Sequence, residues 1–219
     1  MKKVIVNVVN QVAPYINAQK RLVNSFWNFH IPEEETKIMP LIGEESVGSP
    51  YHQNNPYAFK IYAMEYAHSM GYSQVLWLDA SIVFVKHSKP IFDWISQKGF
   101  FFEAAGHWVG SWCNDRTLDY FGISREEAMT MPMFSAGFTG IDFTNEIAVN
   151  FFAKWKQSML DGQFIGDWSN HRHDMTCASI IANQMGLVKD YSSGGNYFAY
   201  IGSGYGQPQE SVICNLLGV

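Results

Sequence analysis

Apolar runs alternate with amphipathic stretches along most of this chain. Val4–Val9 is apolar except for Asn7, and Val75–Leu78 is apolar throughout. Runs of this kind form strands buried on both faces. Between them Leu22, Val23, Phe26 and Trp27 recur among Lys20, Arg21, Asn24 and Asn28, which predicts a helix over 17–29. Residues 37–42 read as a second short strand, and 43–55, glycine-bearing and without period, as an exposed loop. Phe59, Tyr62, Ala63, Tyr66 and Met70 predict a helix over 57–70, which Gly71 ends.

The same alternation continues. A strand is expected over 82–85, a short helix over 91–96 and a strand over 100–105 that Glu103 interrupts. Residues 106–119 read as a loop, and Ser124 with Glu127 marks the capped start of a short helix. A strand over 133–143 holds small residues, helices follow over 145–160 and 176–185, and 186–188 reads as a return to strand. Strands alternating with helices predict a single α/β domain with a mostly parallel sheet flanked by helices. The Gly- and Tyr-rich tail, 190–219, is expected to wrap the surface near the site.

Candidate chemistry collects at the ends of these elements. Asp79 closes the run Val75–Leu78, and Ser81 follows two residues later. Open α/β sheets bind ligands outside the carboxyl ends of their strands, and alternate residues of extended chain share a face. Asp79 and Ser81 therefore read as facing one ligand; the plainer alternative is an aspartate capping a turn. Tyr15, in the loop expected after the first strand, reads as a base contact or a packing residue. Lys60 lies near the start of its helix, where the dipole disfavours a cation. It is either solvated or aimed at an anion. Gly137, beside Ser135 in a predicted strand, marks a close approach of ligand or backbone. His171, His173 and Asp174 precede an apolar helix, where they suit an anion or sugar site. Asp174 also suits a simple N-cap, and the His-x-His spacing a metal with no third ligand nearby. Trp108 and Trp112 offer a sugar platform or loop packing.

Composition narrows the classes. Of 219 residues, 47% are hydrophobic and 16% charged, which is globular rather than disordered. A net charge of −5 gives no basic footprint for nucleic acid or an anionic membrane. Cys113, Cys177 and Cys214 are odd in number and widely spaced, so neither a disulfide framework nor a zinc site is indicated. No apolar run approaches the roughly 20 residues of a membrane span, nor does the start read as a signal peptide. The expected setting is cytoplasmic.

Taken together, several stretches resemble the nucleotide-diphospho-sugar glycosyltransferases of the GT-A fold, most like the glycogenin and bacterial galactosyltransferase family. Val8–Phe26, with Tyr15 and Ser25, is similar to the family's opening strand, base-stacking tyrosine and helix. Phe59-Lys60-Ile61 resembles its Thr-Lys-Leu helix, and Leu78-Asp79-Ala80-Ser81 its Leu-Asp-Ala-Asp metal segment. Phe134-Ser135-Ala136-Gly137 resembles its Phe-Asn-Ser-Gly strand, and His173-Asp174-Met175 its Asp-Gln pair. Ser81 stands where the family has a second aspartate, Met175 replaces the glutamine, and the family's C-terminal His motif has no counterpart after His173.

The resemblance implies transfer of a sugar from a nucleotide diphosphate donor, UDP favoured, to an acceptor hydroxyl with retention. It implies Mn²⁺ or Mg²⁺ on Asp79 and Ser81, Lys60 at the diphosphate and Tyr15 at the base. Ser135, Gly137 and His173 would hold the donor, and Asp174 would be catalytic. The rival is a transferase-like module that binds sugar or nucleotide without turnover. A nucleotidyltransferase would want a basic, Gly-rich phosphate loop, and residues 10–17 contain neither glycine nor a cation.

Overall fold

The first strand, β1 (Lys3–Val9), divides the molecule by its own alternation. Val4, Val6 and Val8 enter one apolar cluster and Ile5 another, so the strand needs cover on both faces. The computed structural model, which describes residues 1–33, 35–190, 199–202 and 212–216, shows how that cover is supplied. Helix α1 (Ala13–Phe29) lays Leu22 and Phe26 on the Ile5 face. After β2 (Thr36–Ile42), α2 (Ala58–Ser69) lays Ile61 and Met64 on the valine face. Then β3 (Gln74–Leu78) repeats the split, with Val75 and Trp77 to one side and Leu76 and Leu78 to the other.

The chain continues through β4 (Ile82–Phe84), α3 (Lys89–Lys98), β5 (Phe100–Phe101) and β6 (Ala104–Trp108). Short helices α4 (Asp115–Phe121) and α5 (Arg125–Ala128) lead to β7 (Pro132–Phe134) and β8 (Phe138–Asp142). Two long helices, α6 (Glu146–Leu160) and α7 (His173–Gln184), complete the valine-face layer, and β9 (Ala199–Gly202) and β10 (Ile213–Leu216) follow. The central sheet runs β2-β1-β3-β8-β5. β1 pairs parallel with β2 and β3, while β8 runs antiparallel to β3 and β5. The sheet is therefore mixed. Two small sheets flank it, β4-β10-β9 and β6-β7.

Several expected boundaries move, each for a local reason. Pro14 is tolerated in a first helical turn, so α1 starts at Ala13 and Tyr15 rides on the helix rather than in a loop. The strand expected over 133–143 breaks at Ser135–Gly137 into β7 and β8, and that over 100–105 splits between two sheets. Residues 43–55 are less exposed than expected: a 3₁₀ turn at Glu44–Val47 buries Glu44, Val47 and Ser49. The expected loop 106–119 holds most of β6 and the start of α4. Leu187–Asp190 is a 3₁₀ turn, not a strand. Of the tail, β9 and β10 are described, β10 lying against β4; residues 191–198, 203–211 and 217–219 lie outside the described residues. Among the described residues no helix is long and apolar enough to cross a membrane.

Gly140 shows how tightly α3 is laid on the sheet. It faces Leu76 of β3 and Phe101 of β5. A Cβ there would lie 2.5 Å from Ile95 Cδ1 and 2.8 Å from Phe101 Cβ. Overpacking of this kind costs about 1–3 kcal/mol. Gly140→Ala is therefore expected to lower the unfolding free energy by that amount, read as a fall in denaturant midpoint at constant m-value.

Candidate active site

The chain leaves β1 for β2 on one side and then crosses back to β3 on the other, so β1 carries the topological switch point of the sheet. Backbone pairing between β1 and β3 runs from Lys3–Gln74 to Val6–Trp77. Asn7 then takes over. Its amide donates to the Leu78 carbonyl at 2.6 Å, and Gln19 of α1 donates to Asn7 Oδ1 at 2.9 Å and to the Leu41 carbonyl at 2.8 Å. The polar residue that interrupts the first apolar run thus bolts three strand ends together. Beyond it opens a cavity of about 280 Å³, with Tyr15, Glu44, His52, Tyr57, Asp79 and Ser81 on its wall.

Asp79 sits at the mouth of β3 with its carboxylate oxygens in different settings. Oδ1 accepts the Trp77 indole N–H at 2.8 Å and lies 3.2 Å from Lys60 Nζ. Oδ2 lies beside Gly137, where a Cβ would come within 3.3 Å of it and 3.5 Å of Ser135 Oγ. The Asp79 N–H donates to the Gly137 carbonyl at 2.8 Å. This is the close approach that the small residues of the β7–β8 break permit, and it follows from β8 running antiparallel to β3. Ser81 reaches the cavity through a tight turn, with Ile82 N–H donating to the Asp79 carbonyl at 3.0 Å, and not by strand alternation.

Lys60 is neither solvated nor presented to the cavity. Its side chain is 3% exposed, and Nζ donates to the Ala136 carbonyl at 2.9 Å. Besides Asp79 it faces Asp174 Oδ2 at 3.1 Å, an oxygen that has no hydrogen bond of its own. Burial alone would lower the lysine pKa, but the two carboxylates more than offset this and hold it above its ordinary value. Burial pushes the Asp174 carboxyl up, against the pull of Lys60.

Asp174 is not an N-cap. The helix begins one residue earlier, and Arg172 occupies the cap position without using its side chain. Nor does Asp174 line the cavity; it is buried behind Lys60. His173 is buried as well, its Nδ1–H donating to the Phe164 carbonyl at 2.8 Å. Its ring lies 5.4 Å from those of Tyr57 and Trp168. His171 turns inward, where Nε2–H donates to the Gln163 carbonyl at 2.9 Å. Both imidazoles of the His-x-His pair are spent on carbonyls, and among the described residues no three His, Cys, Asp or Glu side chains converge as a metal cluster.

Sequence reasoning missed four residues of this neighbourhood. Trp77 reads as core, yet its indole fixes Asp79. Glu44 and His52 lie in a stretch without period, so nothing marked them as cavity residues. His52 Nδ1 accepts the Tyr57 N–H at 3.2 Å, which puts the ring proton on Nε2. Burial, then the charges of His173 and Lys60, depress the His52 pKa against the pull of Glu44. The Tyr57 hydroxyl is pushed up to about 12 by burial and by Asp174, so it remains a neutral donor at physiological pH. Tyr57 (φ 61°) and His173 (φ 46°) are the non-glycine residues with positive φ among those described, and their rings touch. Strained backbone of this kind collects at functional sites.

Two outcomes test this arrangement. Lys60→Met leaves the buried Asp174 carboxylate without its counter-charge, next to a partly exposed Asp79, and is expected to cost about 3–5 kcal/mol in chemical denaturation. Adding Asp174→Asn should restore part of the loss. The second concerns His171, whose pKa burial lowers from 6.5 to about 4. Between those values the unfolded chain binds the proton and the folded one does not. Stability is therefore fully present above pH 6.5 and is lost as pH falls toward 4, by about 3 kcal/mol in all. His171→Gln should flatten that part of the stability–pH curve.

No protein-family profile matches the sequence, and no curated protein sequence matches it. Solved structures do. The chain superposes over its full length on 46% of the bifunctional glycosyltransferase WbbM, with a TM-score of 0.62 and 9% identity. Mouse xyloside xylosyltransferase 1 matches at 0.58 and 9% identity, over 98% of this chain and 97% of that one. The glycosyltransferase GlyE of Streptococcus pneumoniae matches at 0.56 and 16%, over 100% of this chain and 55% of that one. At these identities the likeness is one of fold, and the fold is that of the GT-A-like glycosyltransferases: a central sheet flanked by helices in a mixed α/β arrangement.

Proposed function

We propose that this protein transfers a sugar from a nucleotide diphosphate donor, UDP favoured, to a carbohydrate or other hydroxyl acceptor. The observation that carries the reading is the cavity at the switch point, which has Tyr15 and Asp79 on one wall surface in a fold shared with sugar transferases. Tyr15 is half-exposed and offers its ring to the base. Asp79 marks the place of the diphosphate. Lys60, committed to its carboxylates, orients Asp79 rather than meeting the phosphates directly. Asp174 acts through Lys60 as a positioning residue, and Ser135, Gly137 and His173 shape the sugar end.

The charges on the cavity wall bear on the metal. Among the described residues Asp79 and Glu44 line it and no Lys or Arg does, and His52 is held toward its neutral form. A diphosphate entering alone would meet the Asp79 and Glu44 carboxylates, with Lys60 shared between Asp79 and Asp174 rather than turned to the cavity. Asp79 Oδ2 and the Ser81 hydroxyl fit as two of the oxygen ligands of a Mn²⁺ or Mg²⁺ ion whose remaining positions the donor and water would fill. Such an ion supplies stabilisation of the departing diphosphate's charge. Retention of anomeric configuration is the course we assign, and the cytoplasm the setting; Cys113 and Cys177 are free thiols. Binding without turnover is the second reading. It is favoured by the commitment of Lys60 to two carboxylates, and detectable donor hydrolysis would exclude it.

Isothermal titration of Mn²⁺ with and without UDP is the direct check. Wild type should bind weakly alone and tightly with UDP, Asp79→Asn should lose both, and Ser81→Asp should tighten binding without nucleotide. Hydrolysis or transfer by Asp79→Asn should fall by roughly 100-fold or more. If wild type and Asp79→Asn behave alike with UDP present, the metal is not at this site.

A further inference from the structure

One residue removed from His173, the Arg172 guanidinium is clamped between two indoles. Its central carbon lies 4.0 Å from the ring centre of Trp112 and 4.0 Å from that of Trp168. The clamp is anchored by backbone. The Arg172 N–H donates to the Trp112 carbonyl at 3.0 Å, and Thr176 Oγ1–H donates to the same carbonyl at 2.9 Å. Trp168 in turn packs on His173 and lies 6.0 Å from Tyr57, whose ring lines the cavity. An unbroken stack of rings thus connects the cavity wall to the clamped arginine.

What the clamp leaves free decides what it can bind. Arg172 covers a face of each indole, so Trp112 and Trp168 do not form the open sugar-stacking surface that exposed tryptophans otherwise provide. The guanidinium rim is different. Among the described residues its N–H groups form neither a hydrogen bond nor an ion pair, and the side chain is only half-buried. A stacked guanidinium has lost its rotational freedom and presents a planar fork of donors that matches two oxygens of an oxyanion. Trp168 itself is 52% exposed, so the approach to that fork is open.

We infer that Arg172 is an acceptor-side oxyanion site: it recognises a carboxylate or phosphate carried by the acceptor saccharide, placing the receiving hydroxyl toward the cavity. The assignment of acceptor rests on the sugar-transfer reading above. The oxyanion recognition does not. Arg172 makes the acceptor an acidic or phosphorylated glycan rather than a neutral one, and it discriminates by the fork rather than by charge alone.

The test is a donor-free titration, read by tryptophan fluorescence and by calorimetry. Three probes are compared: a uronate-terminated disaccharide, a phosphate-bearing disaccharide and a neutral disaccharide. Wild type should bind at least one charged probe roughly tenfold or more tightly than the neutral one, and the two charged arms distinguish carboxylate from phosphate. Arg172→Gln should abolish the preference, and Arg172→Lys, which keeps the charge but loses the fork, should recover only part of it. Thermal melts of both variants separate lost recognition from lost folding, and Arg172→Lys is the arm that stands if Arg172→Gln unfolds. Equal binding of all three probes by wild type, or full recovery by Arg172→Lys, overturns the inference. A parallel titration with UDP and Mn²⁺ judges the donor site separately: its failure with the charged-probe preference intact would overturn sugar transfer and leave the oxyanion site standing.

Discussion

The Lys60 ammonium occupies a space that water does not reach, with two carboxylates and a carbonyl between 2.9 and 3.2 Å away. Removing a charge from water costs several kcal/mol, and only well-placed opposite charges return it. Here the return requires four segments distant in sequence to meet: the first turn of α2, the end of β3, the break between β7 and β8, and the first turn of α7. The position of Asp79 on the cavity wall is a by-product of that requirement. A carboxylate tied down on one oxygen by an ammonium and an indole N–H has only its other oxygen free to meet a ligand.

That arrangement also shows why the ends of elements, rather than their middles, carry the site. The middles of β1 and β3 are committed to two apolar layers by alternation. Where β3 stops pairing with β1, Asn7 closes the seam with side-chain bonds, and the strands no longer dictate which way residues face. Polar side chains can then converge from loops and helix starts without costing the core anything.

Much of the layering was legible in the sequence because it rests on short-range pattern. The apolar runs gave β1 and β3 as buried strands of one sheet, which the fold pairs in parallel, and helical spacing gave α1, α2 and α6. The antiparallel β8 was not legible, since no local signal records strand direction. At the site, the strand-end position of Asp79 and the closeness required at Gly137 followed from spacing alone. The partners of Lys60 did not. A lysine at a helix start looks solvated until the fold brings Asp174, 114 positions away in the numbering, to the same point. Asp174 itself looked like a cap because capping is a local matter and ion pairing across the core is not. Tyr15 reads as a loop residue because apolar periodicity starts only further on, whereas Pro14 suits a first helical turn and the helix begins before it. Glu44 and His52 were invisible for the opposite reason, lying where the chain has no period to read.

The pairing of β4 with β10 has a consequence for how this protein is made. The Asp79–Ser81 turn runs directly into β4, and β4 is hydrogen-bonded not to the central sheet but to a strand at Ile213–Leu216. On a ribosome, β1, β2 and β3 emerge early and have each other to pair with, whereas β4 must wait for well over a hundred further residues. Such long-range closure is slow, because loop entropy has to be lost before the contact rewards it. The sheet can therefore assemble during synthesis, but the turn that carries Asp79 is braced on its far side only after translation has passed residue 216.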